Sequence, residues 1–381
     1  MKYKKLKEII EFNPQEKINK KKKYKKIKME DIKCFNKNIS QYSIEEYNGG
    51  MKFRNGDTLL ARITPCLENG KTAQVDILEE NEIGYGSSEY IVMRPKDEIS
   101  DKDYIYYLAI SPFFRDVAIK SMVGTSGRQR VQLDVLKNLE MLIPDYEIQV
   151  KIGKILSKFD EKININNKTN DNLYKMMKIK FEDWITNLNK YEVSSLSKIA
   201  NYTNGLAMQK FRPKDNEESL PVIKIKEMND GITENTERCS TNIKDEVIIN
   251  NGDVLFAWSG TLCMSIWGKG KAGLNQHIFK VTSDKYPKWF YYFWTLKHLN
   301  KFKMIAAGKA TTMGHIKRGE LDISEVLIPE DKELQEMHKI MQPLFNKYIN
   351  NLIQNETLTQ LRDTLLPKLM NGEIDLDKIE I

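Results

Sequence analysis

The chain contains two copies of one sequence pattern. Segment 56–61 (GDTLLA) returns as 252–257 (GDVLFA), and segment 142–144 (LIP) returns as 327–329. A pattern of helical periodicity follows each Leu-Ile-Pro segment, so the order along the chain is globule, helix, globule, helix. A duplicated unit with a rigid connector favours a protein that holds two related structures at a set distance.

The two globules are predicted to be mixed α/β domains, over 1–143 and 190–328. The first has strand-like segments at 58–63, 73–78 and 90–93 and helical spacing over 104–122. The second repeats this order: 196–199 matches 6–9, 223–226 matches 25–28, and 289–305 matches 104–122. A chain of 381 residues is long enough for two such domains, each with its own core.

Segments 144–189 and 329–372 are predicted to be long spacer helices, and 373–381 a short tail. Their apolar residues recur at alternating spacings of three and four, the pattern of a coiled-coil seam. Pro144 and Pro329 mark the predicted starts. At 1.5 Å per residue, each helix of roughly 40 residues would extend about 60 Å. Because one helix follows each globule, an antiparallel pair would give the fold a pseudo-twofold axis.

The apolar stripe of both helices fails near the middle. Asparagines stand there: Asn164, Asn166, Asn167 and Asn170 in the first helix, and Asn350, Asn351 and Asn355 in the second. Polar seam positions can fix the register of paired helices at some cost in stability. We therefore predict that some of these asparagines meet across the pair; a local break in the first helix is the alternative.

Charge and cysteine usage suggest the partner and the compartment. A net charge of +7 favours a polyanionic partner, most simply nucleic acid. Segment 17–28 holds eight lysines, for which a solvated loop and a phosphate contact are both open interpretations. The four cysteines form no Cys-x-x-Cys pair, and no apolar run approaches the roughly 18 residues of a membrane span. We expect a cytoplasmic protein with no membrane partner.

Three features carry a resemblance to a known family. They are segment 56–71 (GDTLLARITPCLENGK), the Leu-Ile-Pro segments before the two helices, and the ending 365–374 (LLPKLMNGEI). In this order, and twice over, they closely resemble the DNA specificity (S) subunit of type I restriction-modification enzymes. The resemblance covers nearly the whole chain.

The resemblance implies an α+β fold with two target recognition domains joined by an antiparallel coiled coil of two long helices. Each domain would read one half of a bipartite, interrupted double-stranded DNA target, which is asymmetric because the domains differ in sequence. The implied partners are two modification (methyltransferase) subunits and, for cleavage, two restriction (endonuclease and translocase) subunits. S-adenosylmethionine, ATP and Mg are expected in those partners and no cofactor in this chain, which is expected to be non-catalytic.

The sequence lacks the motifs of the corresponding enzymes. Segment 66–72 (CLENGKT) looks like the end of a Walker A loop, but Pro65 stands where the first glycine is required. The methyltransferase Asn-Pro-Pro-aromatic motif is absent, and the four histidines show no metal-ligand spacing. Two other functions stay open: a double protein-binding adapter without sequence-specific DNA readout, and a type II-like restriction-modification specificity component.

Candidate DNA contacts lie in a glycine-rich loop of each globule and in nearby turns. Arg pairs bidentately with guanine and Gln with adenine, which favours Arg128, Gln129 and Arg130 in the first loop. The remaining candidates are Lys309, Thr312 and His315 in the equivalent second loop, followed by Arg62, Lys71, Lys269 and Lys271. For each of them, an exposed polar residue without a role in recognition is the alternative.

Large apolar side chains are predicted to lie either in the core or on a surface that binds a partner subunit. The aromatic residues at helical spacing are predicted to be core: Tyr104, Tyr106, Tyr107, Trp289, Tyr291, Tyr292 and Trp294. Exposed faces of the long helices, including Trp184, Leu369 and Met370, are predicted to dock modification subunits.

Overall fold

The structure, a computed structural model, describes residues 1–233, 235–308 and 314–376. The chain divides into two compact units. Unit 1 takes in Met1–Asn164 and the chain from Leu358 onward, and unit 2 is Ile165–Thr357. Both divisions fall inside long helices, so each long helix contributes one part to each unit.

Unit 1 consists of short strands and helices around halves of the long helices. The strands are β1 (Lys2–Lys5), β2 (Ile10–Phe12), β3 (Lys23–Ile27), β4 (Ser43–Glu46), β5 (Met51–Phe53), β6 (Thr58–Ala61), β7 (Thr72–Gln74), β8 (Gly84–Gly86), β9 (Tyr90–Pro95) and β10 (Glu140–Ile143). The helices are α1 (Leu6–Ile9), α2 (Lys102–Ile110), α3 (Pro112–Lys120), α4 (Leu133–Asn138) and the long α5 (Tyr146–Thr186).

Unit 2 repeats the strand order of unit 1, with partly different helices and 3₁₀ turns between the strands. The strands are β11 (Tyr191–Ser195), β12 (Asn201–Asn204), β13 (Ser219–Ile223), β14 (Arg238–Ser240), β15 (Ile248–Ile249), β16 (Val254–Ala257), β17 (Cys263–Ile266), β18 (Ala272–Leu274), β19 (Ile278–Thr282) and β20 (Glu325–Pro329). The helices are α6 (Leu196–Ile199), α7 (Ile225–Asp230), α8 (Lys288–Ala307), α9 (Gly319–Asp322) and the long α10 (Asp331–Met370). Short 3₁₀ turns span Met29–Asp31, Met208–Lys210 and Asp245–Val247.

The units share one sheet topology, which confirms the predicted internal repeat. An antiparallel sheet runs β2-β9-β6-β7 in unit 1 and β12-β19-β16-β17 in unit 2. A mixed sheet runs β4-β3-β8-β5 and β14-β13-β18-β15, with its two central strands parallel in both units. A two-stranded ribbon, β1-β10 or β11-β20, leads into each long helix.

Strand β6 lies between β9 and β7 in its sheet, and both of its faces are buried. Side chains alternate across a strand, so Leu60 enters the core that contains α2, while Leu59 enters a second, smaller core. Strand β16 is built alike, with Phe256 in one core and Leu255 in another. The residues that follow each strand are therefore held by packing on two sides.

The predicted helix over 104–122 is wrong in one respect, because it is broken into α2 and α3. Pro112 has no N–H to continue α2, and the Ser111 hydroxyl accepts a hydrogen bond from the Phe114 N–H at 3.4 Å, which caps α3. The equivalent helix of unit 2, α8, has no such proline and runs unbroken.

The core prediction for the aromatic residues is confirmed, whereas the prediction that Trp184, Leu369 and Met370 lie on exposed faces of the long helices is wrong. All seven aromatic residues are buried. Trp184, Leu369 and Met370 are buried as well, at 8%, 2% and 7% exposure. Trp184 packs in the main core of unit 2 and the other two in that of unit 1, so these positions of the long helices face their own units.

The predicted meeting of asparagines across the long helices is confirmed inside unit 2. Asn166 donates to the Asn355 side-chain oxygen at 2.9 Å, and Asn351 donates to that of Asn170 at 2.9 Å. Asn355 donates to Asn167 at 2.8 Å. Residue numbers fall along α5 as they rise along α10, so the helices are antiparallel there.

Removal of one buried asparagine tests the contribution of these bonds. Asn170→Ala leaves the amide of Asn351, a residue that is 1% exposed, without its partner. We expect the free energy of unfolding to fall by about 1–3 kcal/mol, measured as a lower urea midpoint. The exposed Asn350→Ala is the matched control. Equal midpoints for the two variants would contradict a stabilising role of the asparagine contacts.

Candidate nucleic-acid interface

The glycine-rich loop of unit 1 is a hairpin over residues 123–130. Its two end residues exchange backbone hydrogen bonds at 3.0 and 2.9 Å. Gly124 and Gly127 adopt φ angles of +137° and +76°, which other residues rarely adopt, so the tight turn depends on glycine. Between the second glycine and the hairpin's end, Arg128 is exposed and Gln129 is half-buried.

Backbone hydrogen bonds join this hairpin to the end of β6. The Val131 N–H donates to the carbonyl oxygen of Arg62 at 2.9 Å. The Arg62 N–H donates to the carbonyl oxygen of Glu89 at 2.9 Å. The side chains of Arg62, Glu89 and Arg130 are thereby brought together, and we call them the unit 1 cluster.

The unit 1 cluster is held by an ion pair. Nε and Nη2 of Arg130 donate to the Glu89 carboxylate at 3.0 and 2.7 Å, and Nε of Arg62 lies 3.9 Å from the same group. The hydrogen bond from Arg130 holds the pKa of the Glu89 carboxyl below its ordinary value. Among the described residues, the buried Nε of Arg62 has no hydrogen-bond partner. The cluster therefore keeps a net positive charge and a donor that the protein itself does not use.

Unit 2 repeats the same backbone arrangement at the end of β16. The Trp258 N–H donates to the carbonyl oxygen of His277 at 3.2 Å, and the Ile316 N–H donates to that of Trp258 at 3.2 Å. Ser259 and His315 form an isolated β-bridge. Each of these contacts has its counterpart around β6. The positions of the unit 1 cluster are thus occupied by Trp258, His277 and His315, which we call the unit 2 cluster.

The unit 2 cluster is aromatic. The Trp258 ring centroid lies 6.1 and 6.2 Å from those of His277 and His315, and its ring stacks on Phe279 at 5.5 Å. The Gln276 amide nitrogen lies 3.2 Å from Nε2 of His277. Within the described ranges, Nε1 of Trp258 and Nδ1 of His277 are buried without a hydrogen-bond partner.

One backbone frame therefore presents two different chemistries. A guanidinium group suits guanine or phosphate. Indole and imidazole rings offer stacking surface and single hydrogen bonds. Both clusters contain buried polar nitrogen atoms without a hydrogen-bond partner among the described residues, and such atoms can pair with water or with a ligand.

Lys71 lies at the same end of β6 but its charge is used inside unit 1. Its N–H group and carbonyl are bonded in the turn that leads from β6 to β7. Its ammonium donates to the carbonyl oxygen of Met29 at 2.6 Å. Lys71 therefore anchors this turn to the 3₁₀ segment of unit 1.

Lys269 and Lys271 lie at the other end of the β16-β17 pair. They follow β17, whose last residue pairs with Val254 at the start of β16, whereas Trp258 follows the end of that strand. Four residues of strand separate these ends, about 13 Å. A Cβ atom on Gly268 would lie 2.9 Å from Leu352 of α10, so this turn packs on the long helix. The structure does not bring the two lysines to the unit 2 cluster.

Two other candidates, Lys309 and Thr312, lie outside the described residues.

Glu89, Trp258 and His277 are members of the clusters that sequence reasoning missed. Glu89 directly precedes β9 and His277 directly precedes β19, and the equivalence of these two strands becomes clear only from strand pairing. Trp258 follows the repeated Gly-Asp segment directly, and that proximity was the available signal.

The described residues contain no group of three or more His, Cys, Asp or Glu side chains that is suited to hold a metal ion. None of the helices in the described ranges combines the length and the apolar character needed to cross a membrane.

The chain is similar in sequence to several specificity subunits. It is 25% identical over 322 residues to the type I restriction enzyme MjaIX specificity subunit of Methanocaldococcus jannaschii, covering 75% of this chain and 72% of the relative. It is 22% identical over 407 residues to the HindI specificity subunit of Haemophilus influenzae, covering 84% of this chain and 87% of the relative.

The fold is also similar to a solved structure. The type I restriction-modification S subunit from M. genitalium matches with a TM-score of 0.51 and 15% identity, covering 97% of this chain and 95% of that one. At this identity the likeness concerns the fold alone.

A family model also matches both copies of the repeat. The model for the type I restriction modification DNA specificity domain matches residues 1–175 and again 189–360, once for each copy of the repeat. Because the two matches together cover most of the chain, the protein belongs to the type I restriction-modification DNA specificity family, and its function is DNA sequence recognition in such a system.

Proposed function

We propose that this chain is the non-catalytic reading subunit of a type I restriction-modification complex and binds a bipartite, interrupted and asymmetric double-stranded target. Unit 1 reads one half of the target through its cluster and the hairpin that carries Arg128. Unit 2 reads the other half through the unit 2 cluster.

The observation that carries this proposal is the pair of clusters at equivalent positions with different side chains. A repeat that served only to pack would have no need to place guanidinium groups in one copy and an indole in the other on the same backbone frame. Different side chains in equal positions are expected where two copies read different bases.

The partners follow from the family. We propose that two modification subunits bind the chain and use S-adenosylmethionine to methylate the target, and that two restriction subunits join for ATP- and Mg-dependent cleavage. The complex would act on DNA in the cytoplasm. The recognition domains proposed here are 1–143 and 190–328, the spacers 144–189 and 329–372.

A double adapter that binds protein without reading bases is the second candidate. The same two-copy design favours it, since the ribbons of both copies present exposed apolar side chains, such as Tyr3 beside Leu142 in unit 1 and Val193 in unit 2. Methylation assays separate the two candidates.

The proposed function predicts directed methylation. Alone, the purified chain is expected to transfer no methyl group. With its modification subunit and S-adenosylmethionine, we expect it to direct methylation to one interrupted sequence, read by sequencing of methylated bases in randomised DNA. Methylation scattered without regard to sequence would support the adapter and contradict the proposal.

Arg128→Ala is expected to affect one half of the target only. Loss of a bidentate base contact would lower the preference at one half-site by roughly 5- to 150-fold, corresponding to about 1–3 kcal/mol, and leave the other half unchanged. Lys120→Ala is the control, since its side chain is 75% exposed and carries the same charge. Equal losses at both halves, or an equal effect of the control, would count against Arg128.

Substitutions in the two clusters are expected to change base preference at different half-sites. Glu89→Gln removes the carboxylate that fixes Arg130, so preference should change at the half-site that depends on Arg128. His277→Ala should change the other half-site and spare the first. The same randomised methylation assay measures both, and a change at the same half-site for both variants would refute the assignment of one cluster to each half.

A further inference from the structure

One face of α5 in unit 1 carries a row of small and polar residues. They are Gln149, Gly153, Ser157 and Asp160, spaced by four, four and three, so they lie on one side of the helix. All four are buried. We call this row the polar seam.

The first two residues of the polar seam hold the segment that enters α2. The Asp101 N–H donates to the Gln149 side-chain oxygen at 3.1 Å, and the Gln149 amide donates to the carbonyl oxygen of Ile99 at 3.1 Å. A Cβ atom on Gly153 would lie 2.6 Å from a carboxylate oxygen of Asp101. The approach of α2 to α5 is therefore too close for any side chain at position 153.

The third residue is bridged to α2 by a lysine from a different loop. Nζ of Lys37 donates to the Ser157 hydroxyl at 2.8 Å and to the Asp103 carboxylate at 2.7 Å. It also lies 5.0 Å from the ring centroid of Tyr107. Lys37 is 9% exposed, so its contacts are shielded from water.

The fourth residue joins three helices at one carboxylate. The Tyr107 hydroxyl of α2 donates to Asp160 at 2.5 Å, and Nη1 of Arg362 on α10 donates to it at 2.5 Å. The side chains of Asp160 and Arg362 are 7% and 3% exposed. Burial and the neighbouring Asp160 raise the pKa of Tyr107, so its hydroxyl stays a donor.

Unit 2 solves the same packing problem differently. An offset of 185 residues relates Leu142-Ile143-Pro144 to Leu327-Ile328-Pro329, and the same offset places Phe345 at the position of Asp160 and Met177 at that of Arg362. Phe345 packs edge-on against Tyr292 at 5.5 Å, and both Phe345 and Met177 are at most 1% exposed. An aromatic contact replaces the ion pair.

This difference between the units shows that helix packing and precise helix placement can depend on different contacts. Replacement of a buried ion pair by apolar residues of similar size is often neutral or stabilising, so the ion pair is not required to hold the helices together. A carboxylate that accepts two short hydrogen bonds restricts distance and angle, whereas apolar contacts tolerate sliding. The seam therefore fixes geometry.

The fixed geometry reaches the unit 1 cluster through α2. The side chains of α2 share a core with Leu60 of β6, and the Gln74 amide of β7 donates to the carbonyl oxygen of Lys102 at 2.8 Å. The cluster follows directly at the end of β6. A shift of α2 on α5 would therefore move the cluster along with it.

We propose that the polar seam is a positioning device that sets where unit 1 reads its half-site relative to the spacer helices. Tyr107, Asp160 and Arg362 are its positioning residues, and they touch no DNA themselves. This inference rests on the proposed function, because it assigns the seam a role in measuring the gap between half-sites.

The test replaces the ion pair of unit 1 with the apolar residues that stand at the equivalent positions of unit 2. The double variant Asp160→Phe with Arg362→Met, and the single variant Asp160→Asn, are each assembled with the modification subunits and S-adenosylmethionine. Their substrates are duplexes that carry both half-sites of the wild-type target with the native gap or a gap one base pair longer or shorter. The urea midpoint of each variant is measured in parallel.

We expect the preference for the native gap to fall by about tenfold in the double variant, while base preference inside each half-site stays as in the wild type. Asp160→Asn should lower the gap preference in the same direction, and it keeps the side-chain size if the double variant does not fold. Lys178→Met, which removes an exposed charge from the same helix, is the matched control and should keep the wild-type preference.

Wild-type gap preference in a folded variant, even with a changed urea midpoint, would overturn the positioning role. A uniform loss of rate at all three gaps would overturn it as well, because that is the result of a merely structural contact. A wild-type complex with no sequence preference would instead overturn the proposed function, and the inference with it.

Discussion

The structure depends on how the two long helices bury their apolar stripes. Neither stripe is covered by one unit alone: the first half of α5 packs in unit 1 and its second half in unit 2, and α10 does the reverse. An isolated helix of this length with an uncovered apolar face would be poorly stable in water. The core of each unit therefore includes a helix segment that arrives from the other copy of the repeat.

The sheets of both units hold the residues that follow β6 and β16 in fixed backbone positions, while the side chains at these positions differ between the units. Strands β6 and β16 are buried on both faces and so tolerate little change, whereas the residues that follow them contact the protein through backbone hydrogen bonds. Backbone bonds do not depend on the side chain. Arg62 and Trp258 can therefore occupy equal positions without a change of fold. The side chains at the proposed reading positions can thus differ while the backbone frame stays constant.

The sequence predicted the features that depend on local pattern and repetition. The Gly-Asp and Leu-Ile-Pro repeats, the long helices and the meeting of asparagines are all visible in spacing. The helical spacing over 104–122 does not show the break at Pro112, which follows from the missing N–H of that one residue. What spacing does not contain is the identity of a tertiary partner. The hydrogen bond between Arg130 and Glu89 and the burial of Trp184 become visible only when the strands and helices are placed together in the structure.

The ion pair of the polar seam also bears on which helices pair. Asn166 and Asn170 are equivalent to Asn351 and Asn355, so the asparagine contacts would form equally well between two copies of α5. The seam would not: in such a pair Asp160 would face Met177, keep only the hydrogen bond from Tyr107 and lose its charge partner, and breaking a buried ion pair in this way costs about 3–5 kcal/mol. In a pair of α10 helices, Arg362 would face Phe345 with a similar penalty. The asparagines can thus set the register, while Asp160 and Arg362 select the pairing of α5 with α10 over either helix with itself.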